Sequence, residues 1–145
     1  MISPHGRPPG SARKGASAVE LAVLLPLLAF LVAVGCDYAR ILYFSQTVTN
    51  AARNGSLWYS DSYAQAESPY KTVAAAALVD TPNLNDPNNQ PVVTTGGGTD
   101  STGTAYVEVT VTYTFRTLTG MPGVPKVVTV ARSCRQAQAP VVPKG

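Results

Sequence analysis

One acidic side chain, Glu20, lies inside the longest apolar run of the sequence, which extends from Ala16 to Cys36. A carboxylate near the middle of a membrane helix costs about 2.5 to 3.5 kcal/mol on insertion scales, so it is rarely kept there without a partner. A cut between Gly15 and Ala16 would create a partner, because the new amino terminus carries a positive charge at the start of the helix. An acid in the first turns also suits the positive end of the helix dipole. The alternative is that Glu20 sits at the level of the lipid headgroups and stays hydrated.

The sequence offers little for catalysis. The only histidine, His5, precedes the apolar run, and no Ser/His/Asp, Cys/His or paired-carboxylate arrangement remains once Glu20 is assigned to the membrane. The glycines at 96–98 lack the lysine and the strand-to-helix setting of a phosphate-binding loop, and we predict a flexible turn there. The asparagine-rich segment 83–88 does not have the spacing of a calcium-binding loop. We therefore predict that the protein is not an enzyme and has no cofactor and no metal site.

The apolar run 16–36 measures roughly 30 Å at 1.5 Å per residue, which is enough to cross the core of a bilayer. Arg13 and Lys14 precede it directly, so the positive-inside rule predicts a cytoplasmic N-terminus and an exported C-terminal part. The net charge of +3 comes from residues 1–15, since acidic and basic side chains balance in the remainder. Because the folded part has no basic excess, we do not expect nucleic-acid binding. We predict a basic cytoplasmic leader over 1–15 and a transmembrane helix over 16–36.

The residues around the start of this run resemble a type IV prepilin processing site. The pattern is Arg13-Lys14-Gly15 followed by Ala16-Ser17-Ala18-Val19-Glu20 and then the apolar run. Three further features follow: Pro26 inside the run, Asp37-Tyr38-Ala39-Arg40 after it, and Thr49-Asn50-Ala51-Ala52-Arg53-Asn54-Gly55 beyond. Together they make roughly residues 13 to 60 similar to the TadE/TadG-like pilus-assembly family.

This resemblance implies cleavage by a prepilin peptidase after Gly15, with Gly15 and Glu20 as the residues that the peptidase recognises. It also implies a function as a minor pilin or pseudopilin in the assembly of tight-adherence, Flp-type pili. The expected partners are the peptidase, other pilins or pilus-assembly proteins, and the lipid bilayer. The expected location is the bacterial inner membrane or the extracellular pilus. Our hypothesis for assembly pairs the amine of Ala16 in one subunit with Glu20 of its neighbour.

Two other interpretations stay open on the sequence. Ala33-Val34-Gly35-Cys36 after an apolar run resembles a bacterial lipoprotein signal, in which Cys36 would be lipidated and the preceding residues removed. Ala33 stands where leucine is usual, however, and Gly15 and Glu20 would be left without a role. An uncleaved membrane-anchored scaffold or adhesin would instead keep the topology and retain a leader of about 1.5 kDa.

An α+β head is predicted over residues 37–134. Apolar residues at three- and four-residue steps from Ile41 to Trp58 predict that the membrane helix continues and presents one apolar face, to its own head or to neighbouring subunits. Ser68 and Pro69 predict the start of a short helix that ends at Val79. A long exposed loop is expected over 82–103, with a brief strand from Val92 to Thr95.

Strict alternation from Thr104 to Arg116 predicts a half-buried antiparallel strand. A second strand from Lys126 to about Cys134 would complete a hairpin that must pack on the helix, because a lone hairpin is marginally stable. Residues 135–145 are predicted to be a disordered tail. A disulfide between Cys36 and Cys134 needs α-carbons within about 7 Å, and two separate buried thiols are the other interpretation.

Overall fold

A computed structural model of the chain describes residues 11–84, 86 and 88–140, with side chains from Gly15 onward. Helices come first and strands last along the chain. The three strands form one antiparallel sheet in chain order, which packs against the second half of the long first helix. The predicted α+β class is confirmed. The elements are α1 Ser11–Ser60, α2 Ser62–Glu67, α3 Val73–Leu78, a 3₁₀ turn Pro82–Leu84, β1 Val92–Thr99, β2 Ala105–Arg116 and β3 Val127–Ala137.

Helix α1 is continuous over 50 residues, which corresponds to about 75 Å at 1.5 Å per residue. Pro26 cannot donate a backbone hydrogen bond, yet it lies inside the helix without ending it. The predicted continuation of the helix beyond the apolar run is confirmed. Val48, Ala51 and Ala52 are buried on its apolar face. The head of the same chain covers this face, which was one of the two packing partners considered.

Strand β2 lies in the centre of the sheet and supplies more of the core than any other strand. Its odd-numbered residues from Val107 to Phe115 are buried, while the even-numbered ones between them are half-buried on the other face. The predicted alternation and the predicted hairpin with β3 are both confirmed, with Tyr113 opposite Val130 in the register. The core consists of Val48, Ala51, Ala52, Ala77, Leu84, Val109, Val111, Tyr113, Phe115 and Val130.

The glycines at 96–98 belong to β1, so the prediction of a flexible turn is wrong. Strand β1 pairs with β2 from Val92↔Thr112 to Thr99↔Ala105, and it is twice as long as the brief strand expected from the sequence. Glycine is depleted in strands because it has no side chain to pack. Here the ring of Tyr106 takes that space, since a Cβ added at Gly98 would lie 3.1 Å from the Tyr106 hydroxyl oxygen.

The short helix predicted from Ser68 starts later than expected. Ser68 instead ends α2, and its hydroxyl accepts a hydrogen bond from the backbone amide of Tyr70 at 3.1 Å. Helix α3 begins at Val73, after Thr72, whose hydroxyl accepts from the amide of Ala75 at 3.1 Å. Thr72 is therefore the N-cap, and the turn at Ser68 separates two helices.

Strand β3 continues past Cys134 to Ala137, which corrects the prediction of a disordered tail from residue 135. The amide of Gln138 donates to the carbonyl of Ala105, and the amide of Ala139 donates to the carbonyl of Ser60, both at 2.9 Å. The second bond places the end of β3 beside the end of α1, so the two elements run in the same direction. Residues 1–10 of the predicted leader and residues 141–145 of the predicted tail lie outside the described residues.

Candidate functional site

The first half of α1 carries the residues predicted for processing and subunit pairing. Gly15, Ala16 and Glu20 are all exposed, and a Cβ added at Gly15 would meet nothing within 4 Å. Ala16 and Glu20 are four residues apart, so they lie on the same helix face. The side chains of Arg13 and Lys14, which were predicted to set the membrane orientation, lie outside the described part. The structure thus presents the predicted processing residues on an uncovered surface.

The helix surface around Glu20 is apolar and bare. Every residue from 15 to 32 is exposed, and large aliphatic side chains are among them, with Leu21 at 57% and Val23 at 71% exposure. Within the described residues, α1 is the one helix long and apolar enough to cross a membrane. Soluble monomers rarely expose a contiguous apolar surface of this kind. The helix is therefore compatible with membrane anchoring.

Asp37 joins this helix to the head directly after the apolar run. The residue is fully buried. Its carboxylate accepts hydrogen bonds from the backbone amides of Leu118 at 2.8 Å and Thr119 at 3.1 Å, and the hydroxyl of Thr119 donates to it as well. Leu118 and Thr119 are the second and third residues of the segment 117–126, the β2–β3 loop. A buried carboxylate is costly unless donors compensate it, and three donors from this loop do so.

These contacts lower the pKa of Asp37 below its ordinary value of 3.8. The hydrogen bond from the Thr119 hydroxyl is the main cause, and burial opposes the shift. The amides of Leu118 and Thr119 and the positive charge of Arg40 lower the pKa further. Asp37 is therefore ionised at neutral pH and serves as a fixed acceptor that holds the β2–β3 loop on the helix.

Aromatic contacts continue the junction beyond Asp37. The Phe44 ring on α1 lies 4.5 Å from Phe115 and 5.4 Å from Tyr113, measured between ring centroids. The guanidinium carbon of Arg40 is 5.7 Å from the Phe44 centroid, within the range of a cation–π contact. Arg40 Nη1 is buried and has no hydrogen-bond partner among the described residues. Arg40 also lines a cleft of about 550 Å³, together with Asp86 and Arg116.

Cys36 and Cys134 are both free thiols. The side chain of Arg132 donates to the hydroxyl of Ser45 at 2.6 Å, which places this part of β3 beside the middle of α1. Cys36 lies about 14 Å before Ser45 along the helix axis. Cys134 follows Arg132 on β3, which runs in the same direction as α1, so Cys134 lies on the other side of Ser45. The separation exceeds the reach of a disulfide, so that pairing is not formed. Cys36 is exposed and Cys134 is half-buried, so the expectation of two buried thiols is also wrong for Cys36.

The described residues contain no group of three or more His, Cys, Asp or Glu side chains that could hold a metal ion. The open clefts of the head are lined mainly by amide, hydroxyl and apolar groups, as in the cleft between Tyr59 and Gln138. His5, the only histidine, lies outside the described part of the chain. The features that distinguish this molecule are therefore the bare helix and its junction with the head.

Residues 15–57 match the family model described as TadE-like protein. The resemblance inferred from the sequence is confirmed over this segment. A TadE-like match suggests a function in pilus assembly, structural and not enzymatic, with contacts to other pilus components and to a membrane. No curated protein and no solved structure matches the chain.

The TadE-like segment ends at Leu57, inside α1. It includes the apolar run, Asp37 and the helix face that packs on the head. Helices α2 and α3 and the whole sheet lie beyond it. The TadE-like likeness therefore covers the anchoring helix and stops before most of the head.

The contribution of Asp37 to the junction was not predicted from the sequence. Asp37 was recognised only as part of the family-like pattern Asp37-Tyr38-Ala39-Arg40. A signal was present, because an acid next to an apolar run needs a partner for the same reason as Glu20. Its partners, however, are amides more than 80 positions away, and no local pattern identifies the loop that supplies them.

Proposed function

We propose that this chain is a pilin-like, TadE-type component of tight-adherence pilus assembly, cleaved by a prepilin peptidase after Gly15. Residues 16–36 anchor it in the bacterial inner membrane, with the N-terminus in the cytoplasm and the head exported. One observation carries the proposal: the segment that matches the TadE-like family forms a helix whose first half is apolar and uncovered.

The packing of the head supports access to the cleavage site. Ala33 and Val34 are the first residues on the helix, counted from Gly15, that are not fully exposed. They lie about 27 Å along the axis from Gly15, at 1.5 Å per residue. A peptidase can therefore reach the start of the helix while the head stays folded.

Cleavage supplies a partner for Glu20, which has none among the residues that the structure describes. The freed amine on Ala16 lies in the same apolar surroundings as the carboxylate, where an unpaired charge is expensive. During assembly, the helices of neighbouring subunits replace the lipid around the uncovered helix surface. Glu20 of one subunit then pairs with the amine on Ala16 of another, and the two charges are buried together.

The N-terminal residue and the intact mass of the protein, recovered from membranes of its native host, test this proposal. We expect a start at Ala16 and the loss of about 1.5 kDa, at roughly 0.1 kDa per residue. Gly15→Val should retain the leader. Gly35→Val is the matched control, because both glycines lie on α1 with nothing within 4 Å of an added Cβ, and it should be processed normally.

Two results would overturn the proposal. A lipidated start at Cys36 would place the protein in the lipoprotein class, and Cys36→Ser would then block its maturation. An intact leader on the mature protein would indicate an uncleaved anchor.

A further inference from the structure

The β2–β3 loop lies at the level where α1 leaves the predicted bilayer segment. Its residues Leu118 and Thr119 bind Asp37, the first residue after the segment 16–36. Ala33 and Val34 are the only half-buried residues between 15 and 36. They lie four and three positions before Asp37, respectively, and therefore on the same helix face. The head therefore covers about one further turn of the helix, about 5 Å below Asp37 and inside the predicted span.

The composition of this loop suits the boundary of a membrane. Leu118 is 71% exposed, and residues 117–126 contain no acidic side chain. Arg116 directly before the loop and Lys126 at its end are both exposed. The apolar residues of the loop are Leu118, Met121, Pro122, Val124 and Pro125.

The loop also has a defined backbone. The amide of Val124 donates to the carbonyl of Met121 at 3.0 Å. Pro122 occupies the second position of this turn, and Gly123 the third with φ of 89°, as a type II turn requires. Val124 is buried. With Asp37 bound at one side and Val124 packed at the other, the loop holds Leu118 outward on a fixed support.

We propose that the β2–β3 loop docks on the exported surface of the bilayer that α1 spans. Leu118 enters the boundary between headgroups and acyl chains, and Arg116 and Lys126 contact the phosphates of anionic lipids. The inference rests on the membrane anchoring in the proposed function. It adds a second, interfacial contact that holds the head down on the membrane.

Charge favours a lipid surface over a protein partner for this loop. Arg40, about 6 Å beyond Cys36 along the helix, is half-buried and its charge is balanced by the nearby ionised Asp37, so Arg116 and Lys126 are the cations left to meet the lipid. Asp86 is the one acid in the cleft that Arg40 and Arg116 line, and it already accepts from the amide of Asn88 at 2.9 Å. Glu108 pairs with Arg135 near the other end of the sheet.

The test uses the full chain with Cys36→Ser and Cys134→Ser, reconstituted into vesicles of phosphatidylethanolamine and phosphatidylglycerol. A nitroxide label is attached at Leu118→Cys, and its collisions with oxygen and with a water-soluble nickel chelate are measured. The substitution should be tolerated, because Leu118 contacts Asp37 only through its backbone amide. The matched control is Tyr63→Cys on α2, where the native side chain is equally exposed at 72%. We expect oxygen collisions to dominate at 118 and nickel collisions to dominate at 63.

Two results at position 118 would overturn the inference. Free collision with nickel, as at 63, would place the loop in water. Shielding from both reagents would show that a protein covers it. A label at Leu28→Cys separates this failure from that of the proposed function, because a water-exposed position 28 would mean that α1 does not span the bilayer.

A charge variant tests the electrostatic part. In the variant Arg116→Gln/Lys126→Gln, the label at 118 should report a smaller lipid-immersed population. The ratio of lipid-immersed to water-exposed loops should fall about fivefold for each basic residue removed. Replacing phosphatidylglycerol by phosphatidylcholine should produce a similar loss in the unsubstituted loop. An unchanged ratio in both experiments would contradict the contact with anionic lipid.

Discussion

Two carboxylates, Glu20 near the start of the predicted transmembrane segment and Asp37 directly after its end, differ in their hydrogen-bond partners. Asp37 receives three hydrogen bonds from its own chain, and its pKa is lowered accordingly. Glu20 is exposed on an apolar helix and has no polar partner among the described residues. Asp37 is therefore a structural group of the folded head. Glu20 is available for the pairing proposed above.

Replacing Asp37 by Asn should lower the Tm of the head by several degrees at pH 7, because Leu118 and Thr119 lose a charged acceptor. The folded pKa lies below 3.8. The carboxylate therefore stabilises the head fully above its unfolded pKa, and this stabilisation is lost as pH falls through the folded pKa. The difference in Tm between the two proteins, followed by circular dichroism from pH 7 to pH 2, should narrow below pH 3.8.

Two comparisons control this experiment. Asp100, whose pKa is also lowered by Thr102 and Thr104, titrates in both proteins and cancels from the difference. Thr119→Ala removes only the hydroxyl donor and should reproduce part of the loss. A variant Asp37→Asn as stable as the original protein at pH 7 would show that the buried carboxylate contributes nothing to the junction.

At the scale of elements, α1 and the head are in close contact at Gly55. A Cβ added there would lie 3.0 Å from the Cβ of Ala77 on α3 and 3.0 Å from Cγ1 of Val109 on β2. Gly55→Val should therefore reduce the free energy of unfolding by about 1 to 3 kcal/mol, as overpacked cores do. Denaturant unfolding in detergent measures this change. Gly35→Val has free space around it and should unfold almost as the original protein does, so equal stability of the two variants would contradict the close contact.

The elements with a strong period could be predicted from the sequence. The apolar stripe of α1 and the alternation of β2 each reflect one continuous face that packs on the head. The glycines of β1 could not be assigned, because Tyr106, whose backbone lies against Gly97 and whose ring lies against Gly98, belongs to another strand. The end of β3 was missed for the same reason: Ala137 is held in the strand by its pairing with Tyr106.

The candidate site divides in the same way. Gly15, Ala16 and Glu20 could be identified because their spacing is local and their surroundings are apolar. The start of α3 was misplaced because Ser68 and Thr72 are both suitable N-cap residues, and the burial of Ala76 and Ala77 in the head is not visible in the local sequence. The partners of Asp37 depend on how the chain folds back over its full length, which no local pattern encodes.

At the scale of the whole molecule, the head and the first half of α1 differ in how much of their apolar surface is covered. The head has a packed core, but in the described part of the chain residues 15–32 of α1 are all exposed. Lipid or the helices of other subunits must cover this surface, since water is a poor solvent for it. The charge pair proposed for Glu20 belongs to this scale, because its second member would come from another subunit.

Replacing Glu20 by Gln should leave membrane insertion intact and reduce incorporation into pili about tenfold, which corresponds to ~1.4 kcal/mol per subunit contact. The measurement is the amount of subunit in sheared pili relative to the membrane fraction. Only chains with a processed N-terminus are counted, so that failed cleavage is not mistaken for failed assembly. Glu20→Asp keeps the charge and should assemble better than Glu20→Gln. Normal assembly of Glu20→Gln would refute the pairing.

Helix α1 continues from the predicted membrane segment into the head without a break. The directions in which side chains point in the two parts are therefore fixed relative to each other. At 3.6 residues per turn, one residue inserted between 30 and 31 would rotate the head by about 100° and raise it by about 1.5 Å relative to Glu20. In a fibre, the azimuth at which each head faces outward would follow from the direction in which Glu20 faces inward. The number of residues between Glu20 and Asp37 would then set the angular position of every displayed head, because the helix between them is continuous.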